Sequence, residues 1–177
     1  MNMQDILARL ADLEAHNAIR NCINRYMEIC DQLNADTDLS QLMALFDQDS
    51  IWEGIGEKYA QSFGRYESWQ AIHDMFLRYT QAESHFVLNT HFVSSEQIDV
   101  QGDVASATWL MLQTSTFRDE RSHLNAAKLT VKFKQHADGR WKIKHFQTEN
   151  LFSRPVTHWH SQAELPVPNA IVIKDKS

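Results

Sequence analysis

Cysteine is scarce in this chain. There are two, Cys22 and Cys30, and both fall on one face of a predicted helix. Eight helical residues span roughly 12 Å, whereas the Cα atoms of a disulfide usually sit within about 7 Å of each other. The two cannot pair within that helix and are expected as reduced, buried packing residues of a cytoplasmic protein. Glycine is sparse too, at five residues. Gly54 and Gly56 do not form a phosphate loop, because no Lys-Ser/Thr follows them and no buried parallel strand precedes them. The three prolines all lie beyond Phe152, in a segment that reads as an extended tail. No apolar run approaches the roughly 20 residues of a membrane span, and the first residues show no signal-type segment. Positive charge is outweighed, 17 Lys and Arg against 23 Asp and Glu, for a formal net charge of −6. That balance argues against nucleic acid or an anionic membrane as a main partner. His158-Trp159-His160 offers alternate histidines without a third ligand nearby, so no metal is expected.

What is present is ordinary globular composition, 43% hydrophobic and 23% charged in 177 residues, enough for one domain with a tail. No repeat or clear linker interrupts it. We expect the domain over residues 1–152 and the tail over 153–177. Met3 to His16 reads as a helix, with Ile6, Leu10 and Leu13 at helical spacing. Ile19, Cys22, Ile23, Tyr26 and Cys30 then make one apolar stripe that ends beside Asp31. Asp38-Leu39-Ser40-Gln41 resembles a capping box opening a short helix through Leu42, Leu45 and Phe46. A short strand is expected over Ser50–Gly56 and another helix over Tyr66–Tyr79. From His85 onward the chain alternates as long strands: 85–100, 104–118, 123–135 and 141–151. Asp138-Gly139 is a hairpin signal before the last of them. Lys128, Lys132 and Lys134 share one strand face and are expected in solvent or at an oligomer edge.

Helices first and long antiparallel strands afterwards make an α+β fold. Four long strands covered by helices on one face must curve, leaving a cone with a cavity. The first long strand is chemically unusual: His85, Val87, Asn89 and His91 alternate onto one face, with Phe86, Leu88 and Thr90 on the other.

The helix ending Arg25-Tyr26-Met27-Glu28-Ile29-Cys30-Asp31, the Leu39–Trp52 segment, Gly64, the His85–Asn89 strand and Asp138-Gly139-Arg140-Trp141-Lys142-Ile143 follow in an order that resembles the SnoaL-like branch of the NTF2-like superfamily. That branch includes scytalone dehydratase, hexachlorocyclohexane dehydrochlorinase and polyketide cyclases. The resemblance covers roughly residues 5–152. It implies an NTF2-like cone, a strongly curved mixed or antiparallel sheet with N-terminal helices enclosing a central cavity. It also implies a homodimer. In the two lyases an aspartate at the end of the long helix pairs with a histidine opening the strand, positions that match Asp31 and His85. The dehydratase's second histidine corresponds to the stretch Leu112-Gln113-Thr114, and its first-strand tyrosine to Gly54, so scytalone itself is not the expected substrate.

The reading that follows is a cofactor-independent lyase or isomerase of dehydratase, dehydrohalogenase or cyclase type. Asp31 would orient His85, and His85 would take a proton from an apolar or aromatic small molecule. Tyr26, Trp52, Asn89 and Met111 are the candidate substrate contacts. His91 is expected nearer a rim, six residues or about 20 Å along the strand from His85. A non-catalytic ligand-binding or scaffold domain, and an accessory subunit of a ring-hydroxylating dioxygenase, are the alternatives.

Overall fold

The computed structural model describes residues 2–81, 84–157 and 159. Helix α1 runs unbroken over Met3–Asp31, joining the Met3–His16 helix and the apolar stripe that follows it. No glycine or proline lies in this span to interrupt it. Its start is a capping box: the Asn2 side chain accepts from the Asp5 amide, and the Asp5 carboxylate accepts from the Asn2 amide. Helix α2 follows over Leu39–Met43, capped by Asp38, which accepts from the Ser40 amide at 2.9 Å. Gln41 does not close the expected box but accepts from Arg25 of α1.

The remaining elements are β1 (Phe46–Ile55), α3 (Gly56–Ser62), β2 (Arg65–Glu67), α4 (Trp69–Leu77), β3 (Phe86–Gln101), β4 (Val104–Phe117), β5 (Ser122–Gln135) and β6 (Trp141–Val156). They build one six-stranded sheet in the order β2-β1-β6-β5-β4-β3. β1 runs parallel to β6, and every other pairing is antiparallel. The fold is α+β, a curved and unclosed mixed sheet with the N-terminal helices on its inner face. Phe46 belongs to β1 rather than to α2, α3 was not foreseen, and the expected 66–79 helix divides into β2 and α4. The last strand extends five residues past Leu151. Beyond it Trp159 donates to the Ser115 carbonyl at 2.9 Å. His158, His160 and the rest of the tail lie outside the described residues.

The core forms between the α1 stripe and the inner sheet face. Ile19, Ile23 and Tyr26 meet Trp109, Leu129 and Phe146 in one buried cluster. Both cysteines are free and buried within it. Burial pushes each thiol up to about 12. On the other sheet face Glu53 is only 8% exposed, yet it is satisfied. It accepts from His145 at 2.7 Å, from Gln147 at 2.8 Å and from Arg65, tying β1 to β6 and β2. Burial alone would push its carboxyl up, but these three partners hold it below the usual range.

Gly54 shows why β1 carries glycine. A Cβ there would stand 2.4 Å from the Tyr59 carbonyl oxygen and 3.1 Å from the Phe63 Cβ. The missing side chain lets α3 lie against the strand and directs Tyr59 and Phe63 inward. Gly54→Ala must displace backbone, so it is expected to lower the thermal midpoint by roughly 3–10 °C in a denaturation scan. Both thiols are expected to ignore a thiol-reactive disulfide reagent at pH 7.5 in the native protein. Two equivalents per chain should react once guanidinium unfolds it.

Candidate functional site

The cavity lies between α1, α3, α4 and the inner sheet face, with a volume of ≈ 140 Å³. That is close to the roughly 150 Å³ known to accept a benzene ring. Most of its wall is apolar. Trp52 stacks on Phe146 with ring centroids 5.9 Å apart and 4° between planes, and Phe146 lies 4.8 Å from Tyr26. Phe76, Met111 and Leu129 complete this surface. Tyr26 faces the cavity, but its hydroxyl is committed: Trp52 Nε1 donates to it at 3.0 Å. Burial, with the Cys30 thiol beside it, pushes the phenol far above its ordinary value, so it stays neutral.

The polar side of the cavity is made where α1 ends on β3. Asp31 Oδ1 accepts from the His91 ring Nδ1 at 2.6 Å and from the His91 backbone amide at 3.0 Å. The preceding carbonyl, Cys30, accepts from Asn89 Nδ2 at 3.1 Å. Strand β3 is an edge of the sheet, so its outward amides need partners from outside it. The last carbonyls of a helix have the same need. The end of α1 and the edge of β3 satisfy each other. A carboxylate only accepts, so the short contact puts a hydrogen on Nδ1, and in the neutral ring that tautomer keeps the lone pair on Nε2. Among the described residues Nε2 makes no hydrogen bond, and His91 lines the cavity. Its side chain is 11% exposed and that of Asp31 22%.

The expected pairing of Asp31 with His85 is therefore corrected. His85 is exposed, and its ring packs edge-on to Tyr79, Phe86 and Phe117 at 5.6, 4.5 and 5.3 Å. The cause is a bulge. The β3–β4 register shifts between Phe86 and Leu88, which adds a residue and reverses the alternation on its N-terminal side. Phe86, Asn89 and His91 face the cavity, while Val87 is 69% exposed. His91 lies not at a rim but against Asp31. Tyr26, Trp52, Asn89 and Met111, the candidate substrate contacts, all line the cavity.

Sequence reasoning missed a polar row beside the pair. His91 is the register partner of Gln113, Gln113 of Asn125, and Asn125 of Ser153. Asn89 Oδ1 accepts from Gln113 Nε2 at 2.7 Å and from Ser115 Oγ at 3.1 Å. Asn125 Oδ1 accepts from Ser153 Oγ at 2.5 Å. Four strands thus carry an amide and hydroxyl band across the inner face at the level of His91, with apolar residues beyond it. The alternation of β4 and β5 contained this row, but only the strand registers align it. Among the described residues no group of three or more His, Cys, Asp or Glu side chains is arranged to hold a metal ion. No helix of the described residues is long and apolar enough to cross a membrane.

Solved structures share this architecture. The hexachlorocyclohexane dehydrochlorinase LinA-type3 of Novosphingobium barchaimii LL02 is 16% identical, covering 86% of this chain and 99% of its own, with a TM-score of 0.70. A protein of Novosphingobium aromaticivorans provisionally named a scytalone dehydratase is 18% identical over 90% and 97%, with a TM-score of 0.68. An NTF2-like protein with a cystatin-like fold, also from N. aromaticivorans, is 22% identical over 85% and 90%, with a TM-score of 0.63. At these identities the likeness is one of fold. No curated protein sequence matches the chain. The SnoaL-like domain profile, however, matches residues 11–147, from within α1 to the first half of β6, and on that match the chain belongs to the SnoaL-like family.

Proposed function

We propose that the protein is a cofactor-independent lyase or isomerase that moves a proton on a small cyclic or aromatic substrate, with His91 as base and Asp31 as its orienting partner. The observation that carries this reading is the 2.6 Å contact between Asp31 and His91 Nδ1, with Nε2 left unbonded at the cavity. Asp31 fixes the tautomer and stabilises the imidazolium that forms when Nε2 takes a proton. The electron pair released at carbon then has two destinations. It expels a leaving group from the adjacent carbon, which is elimination, or it moves onto a conjugated carbonyl oxygen, which is the first step of isomerisation or aldol cyclisation.

The polar row supports the second half of that chemistry. Gln113 gives one amide hydrogen to Asn89, and its other points to no partner among the described residues. A substrate oxygen near His91 has that donor available as negative charge develops. The apolar wall of Trp52, Phe146 and Met111 suits a single ring, and the volume admits little more. The neighbours' names, a hexachlorocyclohexane dehydrochlorinase and a scytalone dehydratase, support the general class of reaction: loss of HX or water. The dimer and the cytoplasmic setting expected from the sequence belong to this proposal as well.

A ligand-binding domain without turnover is favoured by one observation. Gln113, which cannot exchange protons near neutral pH, occupies the β4 position opposite His91. The two readings separate by exchange of substrate C–H for solvent deuterium across a panel of small cyclic ketones and halogenated cyclohexanes. In a compound that the wild type turns over, Asp31→Asn and His91→Gln are each expected to slow exchange by roughly 10²–10⁴-fold. His85→Ala should leave the rate within about two-fold, since His85 does not face the cavity. Undiminished exchange in His91→Gln would refute the mechanism, and binding without any exchange in the wild type would select the second reading.

A further inference from the structure

The apolar wall of the cavity is not held in one way throughout. Tyr26, Trp52, Phe76, Met111, Leu129 and Phe146 are each 8% exposed or less and belong to the buried core. Phe63 and Tyr79 are partly buried and pack against that core. Among the described residues, Phe86 is the one apolar side chain of the wall that stands outside both groups. A core side chain is fixed in size by its neighbours, and truncating it leaves a hole that the fold must carry. Phe86 is under no such demand. Its ring bounds the cavity without being needed to close the domain.

The bulge in β3 puts it there. The register shift between Phe86 and Leu88 turns Phe86 inward and leaves Val87 69% exposed. The Phe86 ring then stands against Phe117, its register partner on β4, with centroids 5.3 Å apart and 33° between planes. Phe117 borders a second hollow of ≈ 450 Å³ at the ends of β4, β5 and β6, together with Arg121, His123 and Pro155. One ring of the pair lines the cavity and the other lines the hollow. Behind every other apolar side of the cavity there is core, whereas behind Phe86 there is an aromatic face and then open space. Phe86 and His91 also share a strand, so a smaller residue at position 86 lengthens the cavity and leaves His91 and Gln113 in place.

We infer that Phe86 is the specificity-determining residue of the site: its ring occupies the place that a second ligand ring would take against Phe117, and so holds the site to one ring. This rests on the reading of the cavity as the substrate site, but it concerns binding and not proton transfer. The test is calorimetric titration of the full chain with phenol and with 2-naphthol, beside thermal denaturation of each variant. The wild type is expected to bind phenol at least ten-fold more tightly than 2-naphthol. Phe86→Ala should bind 2-naphthol at least roughly ten-fold more tightly than the wild type does, with an unfolding midpoint within about 4 °C of it. Phe86→Leu should fall between the two, and Phe86→Trp should weaken phenol roughly ten-fold. Leu129→Ala, which cuts the wall on its core side, should lower the midpoint and gain less than about three-fold for 2-naphthol. His91→Gln should keep the wild-type preference for phenol, so a failure of the proton-transfer mechanism leaves this result standing. A wild type that binds the two compounds equally or binds neither, no gain for 2-naphthol in Phe86→Ala and Phe86→Leu, or an equal gain in Leu129→Ala would each overturn the inference.

Discussion

The structure depends on how the end of a helix meets the edge of a sheet. Helix α1 finishes with carbonyls that no further turn can satisfy, and β3 has amides that no further strand can satisfy. Asn89 takes the Cys30 carbonyl, and Asp31 takes the His91 amide. These two bonds set the depth and angle of α1 over the inner sheet face, and with them the space left beneath it. The same Asp31 oxygen also takes the His91 ring. A contact needed to close the fold therefore also fixes one imidazole with its free nitrogen toward the cavity. Structure and chemistry are not separable at this point: a change at Asp31 alters an edge-strand cap and a tautomer together.

Much of this was legible in the sequence. The α1 stripe, the long strands and the Asp138-Gly139 hairpin follow from periodicity and turn chemistry, because burial on one face imposes those patterns. The position of Tyr26 followed from the helical period of the α1 stripe, and that of Met111 from the alternation of β4. The choice of histidine did not. Both His85 and His91 lie on one face of a regular strand, and the bulge near Val87 that separates them has no glycine or proline to announce it. A charge register would have decided the matter. Arg20 forms an ion pair with Glu96, and Arg20 is eleven helical residues from Asp31, about 16 Å. Glu96 is five strand residues from His91, also about 16 Å, but eleven from His85, about 36 Å. Only the His91 pairing allows both contacts between the same helix and strand. Helix α3 was illegible for a different reason. Its seven residues have no strong period, and what seats them is the missing side chain at Gly54.

The site has a division of labour that the fold imposes. Aromatic side chains from α1, β1 and β6 close one end of the cavity, and an amide and hydroxyl band from β3 to β6 crosses the other at the level of His91. On the proposed reading, a ring entering this space would be held by dispersion and burial at one end, with its polar substituent toward the imidazole and the Gln113 amide at the other. Two groups with different duties are placed by a single strand register, His91 opposite Gln113. That arrangement favours abstraction of a proton beside an oxygen or a leaving group over chemistry that needs a second titrating side chain.

The central claim is that His91 holds its hydrogen on Nδ1, toward Asp31, and keeps Nε2 available as a base. Long-range ¹H–¹⁵N correlation spectra of the histidine rings, with His91 assigned by its absence in His91→Gln, test this directly. His91 is expected to be the Nδ1–H tautomer when neutral. A neutral His91 protonated at Nε2, with a bare Nδ1 facing the carboxylate, would contradict it.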